Sequence, residues 1–261
     1  VTGFTAALWA EALKARRSRI PSLAAVGFSL APLTGGLFML ILKDPAWARR
    51  FGLISAKAQI FAGTAGWQTY VAFLAQAMAV GGLVVFGLVV IWVFGREHTD
   101  RTITDLLALP TSRMAIVVAK FVVVASLSAV LTVLVYVLGL IVGTVIGLPG
   151  WSFGLAVSAA GQLAATGGLT VVLVTPFAWA ASAGRGYLPP IEAMFLVLFL
   201  GQVIAALGWG AYFPWSVPAL SSGVAGQEMR DLGLGSYLLV MFTGIAGVAG
   251  TLAWWWLADQ P

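Results

Sequence analysis

The sequence contains no cysteine, and that absence removes disulfides, thiolate metal sites, iron–sulfur clusters and cysteine nucleophiles together. Charge is scarce: 9% of the 261 residues are Asp, Glu, Lys or Arg, against about 25% in soluble domains. The chain has one histidine, His98, in a polar stretch outside the apolar runs, where it reads as a solvated loop residue. A proton relay, a His/Ser pair or a clustered metal site therefore lacks its ligands. No G-x-x-x-x-G-K-[ST] segment occurs, so the chain has no P-loop for ATP. The net charge of +5 does not point to nucleic acid, because the basic residues stand at the ends of apolar segments and form no stripe with interleaved aromatics.

What is present is apolar. Hydrophobic residues make up 61% of the chain and the mean hydropathy is +1.00, the composition of an all-α integral membrane protein. A helix needs roughly 20 apolar residues to cross a hydrocarbon core of about 30 Å. Apolar length, read against charge and Pro/Gly punctuation, places six spans near 20–42, 70–94, 114–146, 154–181, 190–209 and 236–257 within one transmembrane domain covering 1–261. The first run follows Lys14, Arg16, Arg17 and Arg19 and precedes Ala46-Trp47-Ala48. It exceeds the usual h-region of about 7–15 residues, so it is expected to be a retained span and not a signal peptide.

With six spans both termini share a side. Lys14, Arg16, Arg17, Arg19, Arg96, Arg101, Arg113, Lys120 and Arg185 fall on that side, and Lys43, Arg49, Arg50, Lys57 and Arg230 on the other. The basic excess assigns the termini to the cytoplasm of a cell (inner) membrane. Two segments read as interfacial helices. Trp47, Phe51, Ile54 and Phe61 share one helical face in the first outer loop, although an irregular loop fits the same residues. Phe4, Leu8, Ala12 and Ala15 do so before the first span, with a turn at Ile20-Pro21. The third span is long for a bilayer, so it tilts or protrudes, and protrusion would bring Lys120 to the interface.

The most polar run, FGREHTDRTITDLLALPTSRM at 94–114, lies between spans two and three. Ile103, Leu106 and Leu107 recur at i, i+3 and i+4 with Arg101, Asp105 and Ala108 opposite, Pro110 ends the pattern, and Thr111-Ser112 offers an N-cap for span three. Glu97 and Arg113 bracket this short helix, either as an ion pair or through helix-end contacts. The pattern Glu97, then T-x-x-x-L-L-x-x-P-x-S-R over Thr102, Leu106-Leu107, Pro110, Ser112 and Arg113, then Lys120, resembles the cytoplasmic coupling helix of ABC-2 type transporter permeases. These are the membrane subunits of exporters such as the bacitracin, lantibiotic and Na⁺ efflux systems. Arg101 stands where that family usually has glycine.

The resemblance implies a transport mechanism. Two permease subunits, identical or related, would form the pathway, and two separate P-loop ATPases, with ATP and Mg²⁺, would dock on the coupling helices. Ile103, Leu106 and Leu107 would then fill an apolar groove on the ATPase, or else pack against the permease underside. The chain itself would be no enzyme.

Inside the spans, Gln76, Gln162 and Gln202 are uncharged polar residues that serve either interhelical hydrogen bonding or the lining of a substrate path. The absence of charge at mid-membrane favours an amphipathic or apolar cargo, such as a drug, peptide antibiotic or lipid. Glu192, after Pro189-Pro190, belongs to the first turn of span five, where the helix dipole favours an acid, and Arg185 stands near enough in sequence to pair with it; a gating role is the other reading. Gly139, Gly143, Gly147 and Gly244, Gly247, Gly250 permit close helix contacts, within the chain or between subunits. Trp254–Trp256 fit an interfacial belt. The outer segment 210–235 is either a partly re-entrant gate or an ordered loop. A membrane scaffold or assembly protein that holds a partner through the same helix is the alternative from another class. An ion-driven carrier would need mid-membrane ionisable residues and inverted repeats.

Overall fold

The structure, a computed structural model, describes residues 2–44, 64–103, 111–222 and 232–257. Among them every regular element is helical: α1 (Thr2–Arg17), α2 (Ile20–Lys43), α3 (Trp67–Thr99), α4 (Arg113–Ile146), α5 (Phe153–Ala183), α6 (Leu188–Ala206), α7 (Val217–Ser221) and α8 (Leu234–Leu257), with 3-10 turns at Gly210–Tyr212 and Pro214–Ser216. Six of these, α2 to α6 and α8, are long and apolar enough to cross a membrane. The amphipathic segment expected at 47–61 lies outside the described residues.

The caps follow the sequence. Ser112 accepts from Ala115 N at 3.2 Å to open α4, and Ser152 does the same for Leu155 N at 3.1 Å in α5, each satisfying an amide that the helix cannot. Pro21 stands in the first turn of α2, where no amide donor is needed. Gly147, at φ 67°, ends α4 in the left-handed conformation. Lys43 closes the same end, its Nζ donating to Ile146 O at 2.9 Å and Gly147 O at 3.3 Å. One cation on the less basic side thus has a local partner, the carboxyl end of a helix dipole.

The centre of the bundle is α3, whose most apolar stretch is 61% buried, against 17% for peripheral α6. Apolar on all sides, it packs against α2, α4, α5 and α6. The glycine rows resolve as contacts within the chain. A methyl group at Gly139 would meet the Leu74 side chain, and one at Gly143 the Trp67 indole, both on α3. Gly244 and Gly247 likewise bring α8 onto Val172 and Pro176 of α5. Tyr70 is fully buried and donates to Pro32 O at 2.9 Å. Trp255 is 1% exposed and donates to Ser182 Oγ at 3.0 Å, whereas its neighbour Trp256 is 69% exposed; the triplet is split between core and periphery.

Candidate functional site

At the end of the bundle that holds α1, three helices converge on an ion cluster. The buried face of α1 is made by Ala7, Glu11 and Ala15, with Phe4 and Leu8 beside them and Ala12 turned outward. That face packs on α4 and carries Glu11, 4% exposed, to Lys120, which is fully buried. Lys120 Nζ donates to Glu97 Oε1 at 2.8 Å, Val93 O at 2.7 Å and Glu11 Oε2 at 3.3 Å. Its three protons therefore have three acceptors. Lys14 Nζ bridges Glu11 Oε1 at 2.7 Å and Glu97 Oε1 at 3.1 Å. Arg96 Nε reaches Glu97 Oε1 at 3.2 Å, with its guanidinium 5.1 Å from the Trp92 ring centroid.

Burying the three charged groups Glu11, Glu97 and Lys120 costs several kcal/mol each unless every charge is compensated. Here α3 supplies Arg96 and Glu97, α4 supplies Lys120 and α1 supplies Glu11 and Lys14; pairs form within α1 and within α3, but Lys120 of α4 finds its carboxylates only on the other two helices. The cluster joins the three elements on either side of the 100–112 segment. Lys120 is enclosed by protein: the carboxylates of α1 and α3 give it partners that water would otherwise provide. Glu11 was not singled out in the sequence; the available signal was an acid on the apolar face of the first helix.

The segment between α3 and α4 shows in part. The second span runs five residues past its expected end, so Arg96, Glu97 and His98 are helical and half-buried His98 is no loop residue; the cluster neutralises the charges that would otherwise end it. Thr102 N caps the turn on Glu97 O at 2.9 Å. Arg101 has φ 57°, the left-handed region that glycine enters freely and side chains resist. Ile103 is 9% exposed and part of the buried core, on the permease side of the two roles open to it. Asp105, Leu106, Leu107, Ala108 and Pro110 lie outside the described residues. Glu97 and Arg113 do not pair: Glu97 is occupied by Lys120, Lys14 and Arg96, and Arg113 Nη1 donates to Trp255 O at 3.4 Å, near the end of α8.

At the opposite end, residues 210–222 fold back between the spans. Trp215 Nε1 donates to Leu173 O at 3.1 Å and Ser216 Oγ to Gly201 O at 2.9 Å, while Val217 is fully buried. The tip is held by two glutamines: Ser222 Oγ donates to Gln76 Oε1 at 2.7 Å, and Gln162 Nε2 donates to Ser222 O at 2.9 Å. Gln76 and Gln162 each stand nine residues inside their helices, about 14 Å at 1.5 Å per residue, so this segment packs well down between the helices. Residues 223–231 lie outside the described residues. Gln202 is exposed on α6 and takes no part.

Arg185 and Glu192 are both exposed and form no ion pair among the described residues. Because α6 begins at Leu188, Glu192 falls beyond its first turn. Tyr187, just before α6, has its phenol raised above the usual range, chiefly by burial and further by the charge of Asp100.

Six apolar spans, a charged junction at one end and a segment folded back between the helices at the other define a multi-pass α-helical membrane protein. Residues 7–202 match the profile of the ABC-2 family transporter proteins, and the chain belongs to that family of ABC transporter membrane subunits. It is 26% identical over 174 residues to the bacitracin transport permease protein BCRB of Bacillus licheniformis, an alignment that covers 66% of this chain and 83% of that protein. The ATPase of such a transporter resides in a separate subunit.

Proposed function

We propose that the chain is the permease of an ATP-driven exporter in the cytoplasmic membrane, with both termini in the cytoplasm and an amphipathic or apolar cargo of the peptide-antibiotic, drug or lipid kind. The observation that carries this reading is the ion cluster. It fastens α1, the end of α3 and the beginning of α4 into one body on both sides of residues 102–113, so a force applied to that segment reaches two spans together. A pair of P-loop ATPases, binding ATP and Mg²⁺, would apply that force through Leu106 and Leu107, with Thr102, Ile103, Pro110 and Arg113 setting the helix against the permease. The bacitracin permease likeness favours an amphipathic peptide antibiotic within the cargo class.

At the other end the cargo would leave past residues 214–222, and the Gln76–Ser222–Gln162 clasp would hold that exit shut between cycles. Arg185 and Glu192 stay candidates for the junction between α5 and α6. A second permease copy, identical or related, completes the pathway. Purification of the tagged chain in mild detergent, followed by mass spectrometry, tests the class: a stoichiometric P-loop ATPase is expected. Reproducible absence of one, with the chain intact, would leave the scaffold reading in its place. Leu106→Glu/Leu107→Glu is expected to abolish ATPase co-purification while the chain still inserts, and unchanged complex formation would remove these leucines from the docking face.

A further inference from the structure

Two cavities adjoin at the α1 end of the bundle, and one side chain walls both. The first is a groove of about 420 Å³ between α2, α3 and α6, lined by aliphatic residues with Trp92 and Tyr187 at one end. It runs from Ile20 to Gly27 along α2 and from Trp92 back to Val85 along α3, roughly 10 Å at 1.5 Å per residue. Leu23 and Leu88 on its rim are 63% and 41% exposed, so the groove opens sideways, at the level of the spans. The second cavity, about 460 Å³, lies beyond Trp92 and is lined by Lys14, Arg17, Ser18, Arg96, Glu97, Asp100 and Thr102.

The two halves differ in chemistry in the order that a phospholipid does. The aliphatic groove lies at membrane depth, and the ionic pocket lies at the end of the spans. Lys14, Arg96 and Lys120 are engaged with Glu11 and Glu97, but Arg17 is exposed and makes no ion pair among the described residues. Lys14, Arg17, Arg96 and Lys120 against Glu11, Glu97 and Asp100 leave one net positive charge. A phosphodiester brings one negative charge, and a guanidinium can hold two of its oxygens at once. A zwitterionic headgroup would set a second cation beside Arg17 and Lys14.

We infer that this composite cavity binds one anionic phospholipid of the surrounding bilayer, its phosphate on Arg17 with Lys14 and Arg96 alongside, and one acyl chain in the groove past Trp92. The site is separate from the cargo exit and does not depend on what is transported. The bound lipid spans the α1–α2 turn, α3 and α6 and adds to the Lys14–Glu97 contact that already joins α1 to α3.

The test is native mass spectrometry of the full-length chain in detergent, titrated with dioleoyl phosphatidylglycerol, phosphatidylcholine, phosphatidylethanolamine and glycerol 1-phosphate. One phosphatidylglycerol per chain is expected to bind in preference to the other three. Arg17→Gln should weaken it about fivefold, the effect of one basic residue near a lipid headgroup. Gly27→Leu should weaken it about tenfold or more by occupying the groove. A Cβ at Gly27 meets nothing within 4 Å, so the substitution starts into open space, and an unchanged thermal midpoint in lipid-free detergent is the check that the variant folds. Equal binding of phosphatidylcholine or phosphatidylethanolamine would overturn the anionic assignment. Equal competition by glycerol 1-phosphate would make the pocket a free phosphate site. Undiminished phosphatidylglycerol binding in both variants would place the lipid elsewhere.

Discussion

Lys120 is the residue on which the charged end of the bundle turns, because nothing but protein surrounds it. Removing one member of a buried ionic group strands the others, at a cost of about 3–5 kcal/mol. Lys120→Met should therefore lower the thermal midpoint in detergent strongly, and the double variant Lys120→Met/Glu97→Gln should recover part of that loss. A single variant as stable as the parent would show that the cluster does not hold the helices together. Arg101 presents the opposite case. Its φ of 57° is strained for a side chain by about 1–2 kcal/mol, part of which Arg101→Gly forfeits to the unfolded chain. A net gain of about 0.5–1 kcal/mol is expected in chemical denaturation, and a loss would mean that the Arg101 side chain has a partner worth more than the strain. The glycine usual at this position in the resembled family and the left-handed backbone here explain each other.

At the level of helices, most of the fold was readable from the sequence. The six expected spans fall on helices whose ends lie within five residues of them, because hydrocarbon thickness constrains length and composition directly. The largest departure, at the end of α3, arose where charges usually mark a boundary but are here compensated in large part from other helices. Such compensation is a tertiary fact, and no local pattern records that Glu11 will meet Lys120 across 109 residues. The same reason hid the glutamine clasp: Gln76 and Gln162 were visible as polar residues in spans, but their common partner Ser222 sits in a loop segment whose depth no periodicity reports. The glycine rows were legible as contacts and silent about the partner. Gly143→Leu should now disrupt the packing of α4 on α3, since its side chain would overlap the Trp67 ring; overpacking of this kind costs about 1–3 kcal/mol. A tolerated Gly143→Leu, judged by thermal midpoint, would mean that this contact is looser than described.

Taken whole, the molecule has a charged end and an end closed by a segment folded back between the helices, and its lack of cysteine makes the assignment of sides directly testable. Single cysteines at Arg185 and Trp209, both exposed and at opposite ends, should react with a membrane-impermeant maleimide in opposite senses. Trp209→Cys is expected to label in intact cells and Arg185→Cys only after the membrane is opened; the reverse pattern would invert the proposed orientation. The span of the ion cluster along the chain also sets a clock for biogenesis. A ribosome adding about 5–20 residues per second needs roughly 5–20 s to pass from Glu11 to Lys120, which are 109 residues apart. For that interval the first helix waits with Glu11 matched by Lys14 of the same helix but not by Lys120 while two spans enter the membrane, and only arrival of the third lets the N-terminus settle. A nascent chain arrested before Lys120 should thus keep its first helix open to protease, and one arrested well after it should not.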